Sequence, residues 1–147
     1  QFLGANKPDL ATASGHEAAK LALTLMSILG LLFFLFPAPF VRLFVPTDTE
    51  VIGLASMCLR IVAFSEPFFA LVMVYAGALR GAGDTLWVMV YTIISVWVVR
   101  IGLAYVFANV LGWGLAGAWW AMNIDIVLRA FLLWRRFVSG EWQKIRI

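Results

Sequence analysis

Arg60, Glu66, Arg100, Asp125 and Arg129 all stand inside stretches of almost wholly apolar sequence. Glu66 is the most suggestive, because Pro67 follows it in the middle of the apolar run from Val51 to Leu79. Proline has no N–H, so it frees a backbone carbonyl beside the carboxylate and opens the helix locally to water and protons. Ionisable groups at such depth are costly to keep and mark ion or proton pathways. Glu66 is therefore the ion-coupling candidate, with an equally weighted alternative as a structural partner of Arg100. Asp125 and Arg129 are spaced i, i+4, which puts them on one helix face where they neutralise each other as a structural pair.

The elements that position these groups follow from composition. The chain is 63% hydrophobic and 13% charged, with a mean hydropathy of +0.95, whereas soluble domains are about 45–50% apolar and about 25% charged. An all-α integral membrane protein is expected. A bilayer core of about 30 Å takes about 20 helical residues, and four segments are long enough: 18–36, 51–79, 86–110 and 113–134, with a polar tail at 135–147. Lys20 is placed to snorkel at the start of the first, and Pro37 and Pro39 stop it. Thr47, Asp48 or Thr49 caps the second, whose length requires tilt, kink or protrusion. Asp84 or Thr85 caps the third. Between the first two spans, Pro39 to Pro46 is too short to cross and reads as an interfacial segment, with Arg42 toward headgroups.

Lys7, Lys20, Arg80, Arg135, Arg136, Lys144 and Arg146 fall on one side and Arg42 alone in the loops of the other, so both ends are expected to be cytoplasmic. Trp87, Trp134 and Trp142 fit the inner interface and Trp113 the outer one. The net charge of +3 reflects this bias, and nucleic acid is not a partner. Counted from the cytoplasmic ends at about 1.5 Å per residue, Glu66 lies roughly 20 Å deep, Arg100 roughly 21 Å, Asp125 roughly 14 Å, Arg129 roughly 8 Å and Arg60 roughly 28 Å. The matched depths predict a Glu66–Arg100 pair, while Arg60 is shallow enough to snorkel outward. Asn123, Ser65 and Thr92 are expected to hydrogen-bond between helices.

Other patterns carry no chemistry. Gly112 to Gly117 imitates a dinucleotide-binding loop, but no strand precedes it; its small residues instead let the outer ends of the third and fourth spans approach. Gly81-Ala-Gly-Asp-Thr85 lacks the Gly-Lys-Ser/Thr of a phosphate loop and reads as a tight turn. One histidine, His16, and one cysteine, Cys58, assemble neither a metal site nor a catalytic set. His16 is expected to be solvated and Cys58 to be a small buried residue. No enzyme activity and no bound cofactor are expected.

Several segments in order resemble the multidrug and toxic compound extrusion family: Gln1 to Pro8, Phe44 to Val51, Leu59-Arg-Ile61, Pro67-Phe68, Gly77 to Thr85, Gly117-Ala-Trp119, Arg129, and Arg136 to Trp142. Their order and spacing match the last four helices of that family. The resemblance implies part of the second six-helix lobe of a twelve-helix antiporter of the bacterial cytoplasmic (inner) membrane, truncated here. Its partners would be membrane lipid, small-molecule drugs and the missing N-terminal helices of the same transporter. It would export cationic or amphipathic drugs in exchange for Na+ or H+. Some members carry an acidic coupling residue about one turn nearer the Leu-Arg-Gly turn than Glu66. Phe69 occupies that neighbourhood, leaving Glu66 as a displaced equivalent or as the partner of Arg100. Phe68, Phe69, Met73 and Trp97, with Phe64 and Tyr75, are candidates for a cavity lining that would hold flat cations by dispersion and cation–π contact. Two alternatives remain open: a small four-helix antiporter acting as a homodimer, and a non-transporting membrane assembly subunit.

Overall fold

The computed structural model describes residues 2–5 and 7–144; Gln1, Asn6 and Arg146, used above, lie outside them. The described residues form helices and turns. Helix α1 (Pro8–Leu35) starts well before the apolar stretch at residue 18, because Pro8 suits a first helical turn and the polar residues after it remain good helix formers. It ends against Pro37, which opens the short helix α2 (Pro37–Arg42). Leu43 and Phe44 follow at 78% and 86% exposure, as an interfacial segment requires. Asp48 then caps α3 (Thr49–Ala63), its carboxylate accepting from the N–H groups of Glu50 and Val51 at 3.1 Å.

The second span is broken rather than tilted. Helix α4 (Glu66–Gly81) leaves α3 at 55°, because Pro67 donates no hydrogen bond and its ring crowds the Ala63 carbonyl. The connecting residues close into tight i→i−3 bonds, Phe64 N–H to Ile61 O and Ser65 N–H to Val62 O at 2.8 Å. After Gly83, held at φ 83°, the third span runs over Thr85–Val110: α5 (Thr85–Ile94), a π-helical turn (Ser95–Arg100), α6 (Ile101–Tyr105) and a second π-helical turn (Val106–Val110). Helix α7 (Gly114–Val138) and a 3₁₀ turn (Glu141–Lys144) are the last elements among the described residues. Among the described residues three helices are long and apolar enough to cross a membrane, and the bent α3–α4 pair makes up to four spans.

Helix α4 packs between α1 and α7, and the third span lies against the other side of α7, meeting α4 mainly near the Gly83 turn. The apolar core sits at the basic end, where Val72, Tyr75, Leu79, Leu133 and Phe137 join Ala19 of α1. Two expectations change there. Trp142 is 2% exposed, stacks on Phe137 at 5.2 Å and donates its indole N–H to the Phe137 carbonyl at 2.7 Å; it is a core residue, not an interfacial one. His16 is half-buried against Tyr75 and Phe137 rather than solvated, because the early start of α1 carries its face onto α4 and α7. The turn is clamped as well: Asp84 caps nothing with its side chain but accepts from Arg136 Nε at 2.7 Å, and Arg136 also meets Glu141 and covers the Trp87 ring at 5.2 Å.

At the opposite end Gly117 is buried, and a Cβ added there would meet the Phe107 carbonyl carbon at 2.7 Å and the Ala108 nitrogen at 2.9 Å. Backbone cannot rotate aside as a side chain can. Gly117→Ala should therefore destabilise the protein by about 1–3 kcal/mol, the usual range for overpacking. A thermal melt in detergent that rises or stays level would refute this close approach.

Candidate functional site

Glu66 occupies the first position of α4, where a carboxylate complements the positive end of the helix dipole. It is half-buried, with its Cβ 3.3 Å from the position a Cβ on Gly30 would take. Among the described residues it enters no salt bridge and no side-chain hydrogen bond. Phe64 in the break touches Phe34 of α1 at 5.5 Å and Trp120 of α7 at 5.8 Å between ring centroids. Arg60 donates from Nε to the Phe34 carbonyl at 3.3 Å, satisfying one of the carbonyls left open at the end of α1. The break is thus held between two neighbouring helices, and a lone carboxylate stands at its lower lip.

The expected Glu66–Arg100 pair does not form. Arg100 instead turns to α7, where its Nε donates to Asp125 Oδ2 at 2.9 Å, with Nη2 on the same oxygen. Arg129 donates from Nη2 to that oxygen at 2.7 Å, and the Ser95 hydroxyl donates to Oδ1. The i, i+4 pair of Asp125 and Arg129 is present, but as half of a larger cluster around a carboxylate that is 0% exposed. The depth match did not select the partner: the count that set Glu66 level with Arg100 put Asp125 several residues nearer the cytoplasmic end, yet α7 stands beside Arg100 and α4 does not.

The π-helical turn is what makes this cluster possible. At about 100° per residue an α-helix would point Ser95 and Arg100 about 140° apart. An i→i+5 turn brings residues five apart back over one another, so hydroxyl and guanidinium reach the same carboxylate. Ser95 was not legible as a site residue, since its register in an ordinary helix faces elsewhere. Conversely, the polar residues expected to bridge helices bond to their own: Ser65 Oγ to Val62 O at 2.9 Å, Thr92 Oγ1 to Val88 O at 2.8 Å and Asn123 Nδ2 to Trp119 O at 3.0 Å. A short polar side chain finds the carbonyl three or four residues back without crossing to another helix.

The aromatic candidates divide. Phe68, Phe69 and Met73 are exposed on α4 at 38%, 42% and 60%, and Trp97 at 68% lies on the separate third span. Phe64 is exposed too, whereas Tyr75 is 4% exposed and packs in the core. Tyr75 is thereby removed from any cavity lining; its place on the α7-facing stripe of α4, with Val72, Ala76 and Leu79, decides this. Among the described residues no three His, Cys, Asp or Glu side chains come together as a metal site.

Comparison with known proteins fits this architecture. The MatE family model matches residues 1–106. A probable multidrug resistance protein NorM of Thermotoga maritima is 37% identical over 124 residues, 84% of this chain and 26% of that protein. The multidrug resistance protein NorM of Burkholderia vietnamiensis is 30% identical over 140 residues, 92% of this chain and 30% of that protein. An uncharacterized transporter, YisQ, of Bacillus subtilis is 28% identical over 142 residues, 97% of this chain and 31% of that protein. The chain spans about 26–31% of the length of these relatives. A broken apolar span, a clamped Leu-Arg-Gly-Ala-Gly-Asp-Thr turn and a family match over most of its residues make this chain a member of the MatE family.

Proposed function

We propose that this chain forms part of a secondary active efflux transporter that exports cationic or amphipathic compounds in exchange for Na+ or H+. Glu66 is the group through which ion and drug alternate. One observation carries the proposal: a carboxylate at the lip of a helix break between two packed helices, without a salt-bridge partner among the described residues. Broken membrane helices expose carbonyls and helix ends where ions are exchanged, and a carboxylate without a fixed partner is free to take up a proton or a cation. The exposed stripe of Phe69 and Met73 on α4 points away from α1 and α7 and would face the opposing lobe. Phe68 lies beside that stripe and Trp97 on the next span, where a flat cation would find aromatic surface. The Lys and Arg bias supports a cytoplasmic position for both ends of the chain.

The test is drug efflux by the whole transporter in proteoliposomes, with pH and Na+ varied separately. Glu66→Gln should lower efflux at least about tenfold, a barrier change of about 1.4 kcal/mol, and flatten its dependence on the coupling ion. Wild-type efflux by Glu66→Gln at every pH and Na+ concentration would make the carboxylate structural.

A further inference from the structure

The Asp125 cluster is unbalanced. Two guanidinium groups share one carboxylate, both of whose oxygens are already engaged by Ser95, Arg100 and Arg129. Arg129 Nε is buried with no acceptor among the described residues. A guanidinium carries five N–H donors, and Arg100 spends only Nε and Nη2 on Asp125. The Arg100 side chain as a whole is 33% exposed, and it lines a groove of about 580 Å³ between the third span and α7. One positive charge is therefore left over in the part of the bundle least able to solvate it.

The groove has the form of a helix seat. Ala104 and Ala108 lie one turn apart on one wall and Ala118 stands on the other, with Asn109, Trp119 and Met122 among the other lining residues. Small residues let a further backbone approach closely in a membrane. Arg100 lies fifteen residues after Thr85 and ten before Val110, roughly 22 Å and 15 Å from the two ends of the span. A phospholipid phosphate, anchored at the interface, would have to sink through the acyl region to reach it; a side chain on a crossing helix already lies at that depth. Proteins of the length of the matched relatives, in which the shared stretch is only 26–31%, have room for such a helix.

We propose that the groove over Arg100 receives a further transmembrane helix carrying a carboxylate at mid-depth, and that this carboxylate neutralises the surplus charge of the Arg100–Asp125–Arg129 cluster. The inference does not depend on which ion or drug is moved, nor on the role of Glu66.

The probe is a synthetic leucine- and alanine-rich transmembrane peptide with one central Glu, compared with its Gln counterpart. Energy transfer between labelled peptide and labelled chain reads their association in phosphatidylcholine vesicles at alkaline pH. The Glu peptide should associate at least about fivefold more strongly than the Gln peptide. Arg100→Gln should remove that preference and Arg100→Lys retain part of it. Because a charge change inside the bundle can disturb folding, Ala104→Leu provides a second test: it fills the groove, leaves every charge in place, and should also abolish association. Equal binding of the two peptides, or undiminished binding by Ala104→Leu, overturns the proposal. Displacement of the Glu peptide by phosphatidylglycerol through Arg100 would overturn it too and assign the groove to an anionic lipid.

Discussion

Asp125→Asn should lower the stability of this protein by about 3–5 kcal/mol, the range found when one partner of a buried ion pair is removed. The carboxylate is 0% exposed and holds Ser95, Arg100 and Arg129 at once. The amide matches it in shape, so the cost comes from charge: two guanidinium groups would be left facing each other without the anion between them. Burial of an unpaired cation in hydrocarbon is costly on every scale, and Arg129, 13% exposed, has little access to water. Thermal unfolding in detergent measures the loss. The double change Asp125→Asn with Arg100→Gln removes one cation together with the anion and should recover at least half of it, a coupling a double-mutant cycle isolates. A single variant within about 1 kcal/mol of the parent would show that the cluster is not what fixes the third span to α7.

How far such a cluster can be read from sequence depends on which geometry each residue obeys. The spans were legible because apolar length alone sets them, and so was the break, since proline's missing N–H acts locally. Asp125 and Arg129 were legible because i, i+4 is a property of one helix. Arg100 was assigned the carboxylate level with it by residue count, on the wrong helix, because a long guanidinium side chain reaches along the bundle and lateral packing is not encoded in residue count. Ser95 was invisible, since only the π-helical turn brings it onto the face of Arg100. Trp142 and His16 were misplaced for a related reason: composition near a membrane boundary reads as interface, whereas here those residues cover a core built by α1, α4 and α7. Glu66 is the opposite case, where the sequence supplies both the carboxylate and the break, and the structure adds that no partner occupies it among the described residues.

The contact beneath Glu66 can be tested by the sign of a single methyl group. Gly30 is buried on α1, and a Cβ placed on it would lie 2.7 Å from the Ala63 carbonyl oxygen and 3.3 Å from Glu66 Cβ. In an ordinary helix interior, glycine costs roughly 0.5–1 kcal/mol relative to alanine through backbone entropy, so Gly→Ala normally stabilises. Gly53 on α3 meets nothing within 4 Å, and Gly53→Ala should follow that rule. At Gly30 the obstruction is a backbone oxygen in the helix break, which cannot rotate away; α1 must move off α3 and α4 instead. Overpacking of this kind costs about 1–3 kcal/mol, which exceeds the helix gain, so Gly30→Ala should destabilise while Gly53→Ala does not. Displacing α1 also uncovers the break, and Glu66 should then react faster with a water-soluble carbodiimide. If Gly30→Ala melts higher than the parent, α1 does not press on the break, and the shelter of Glu66 must come from elsewhere in the membrane protein.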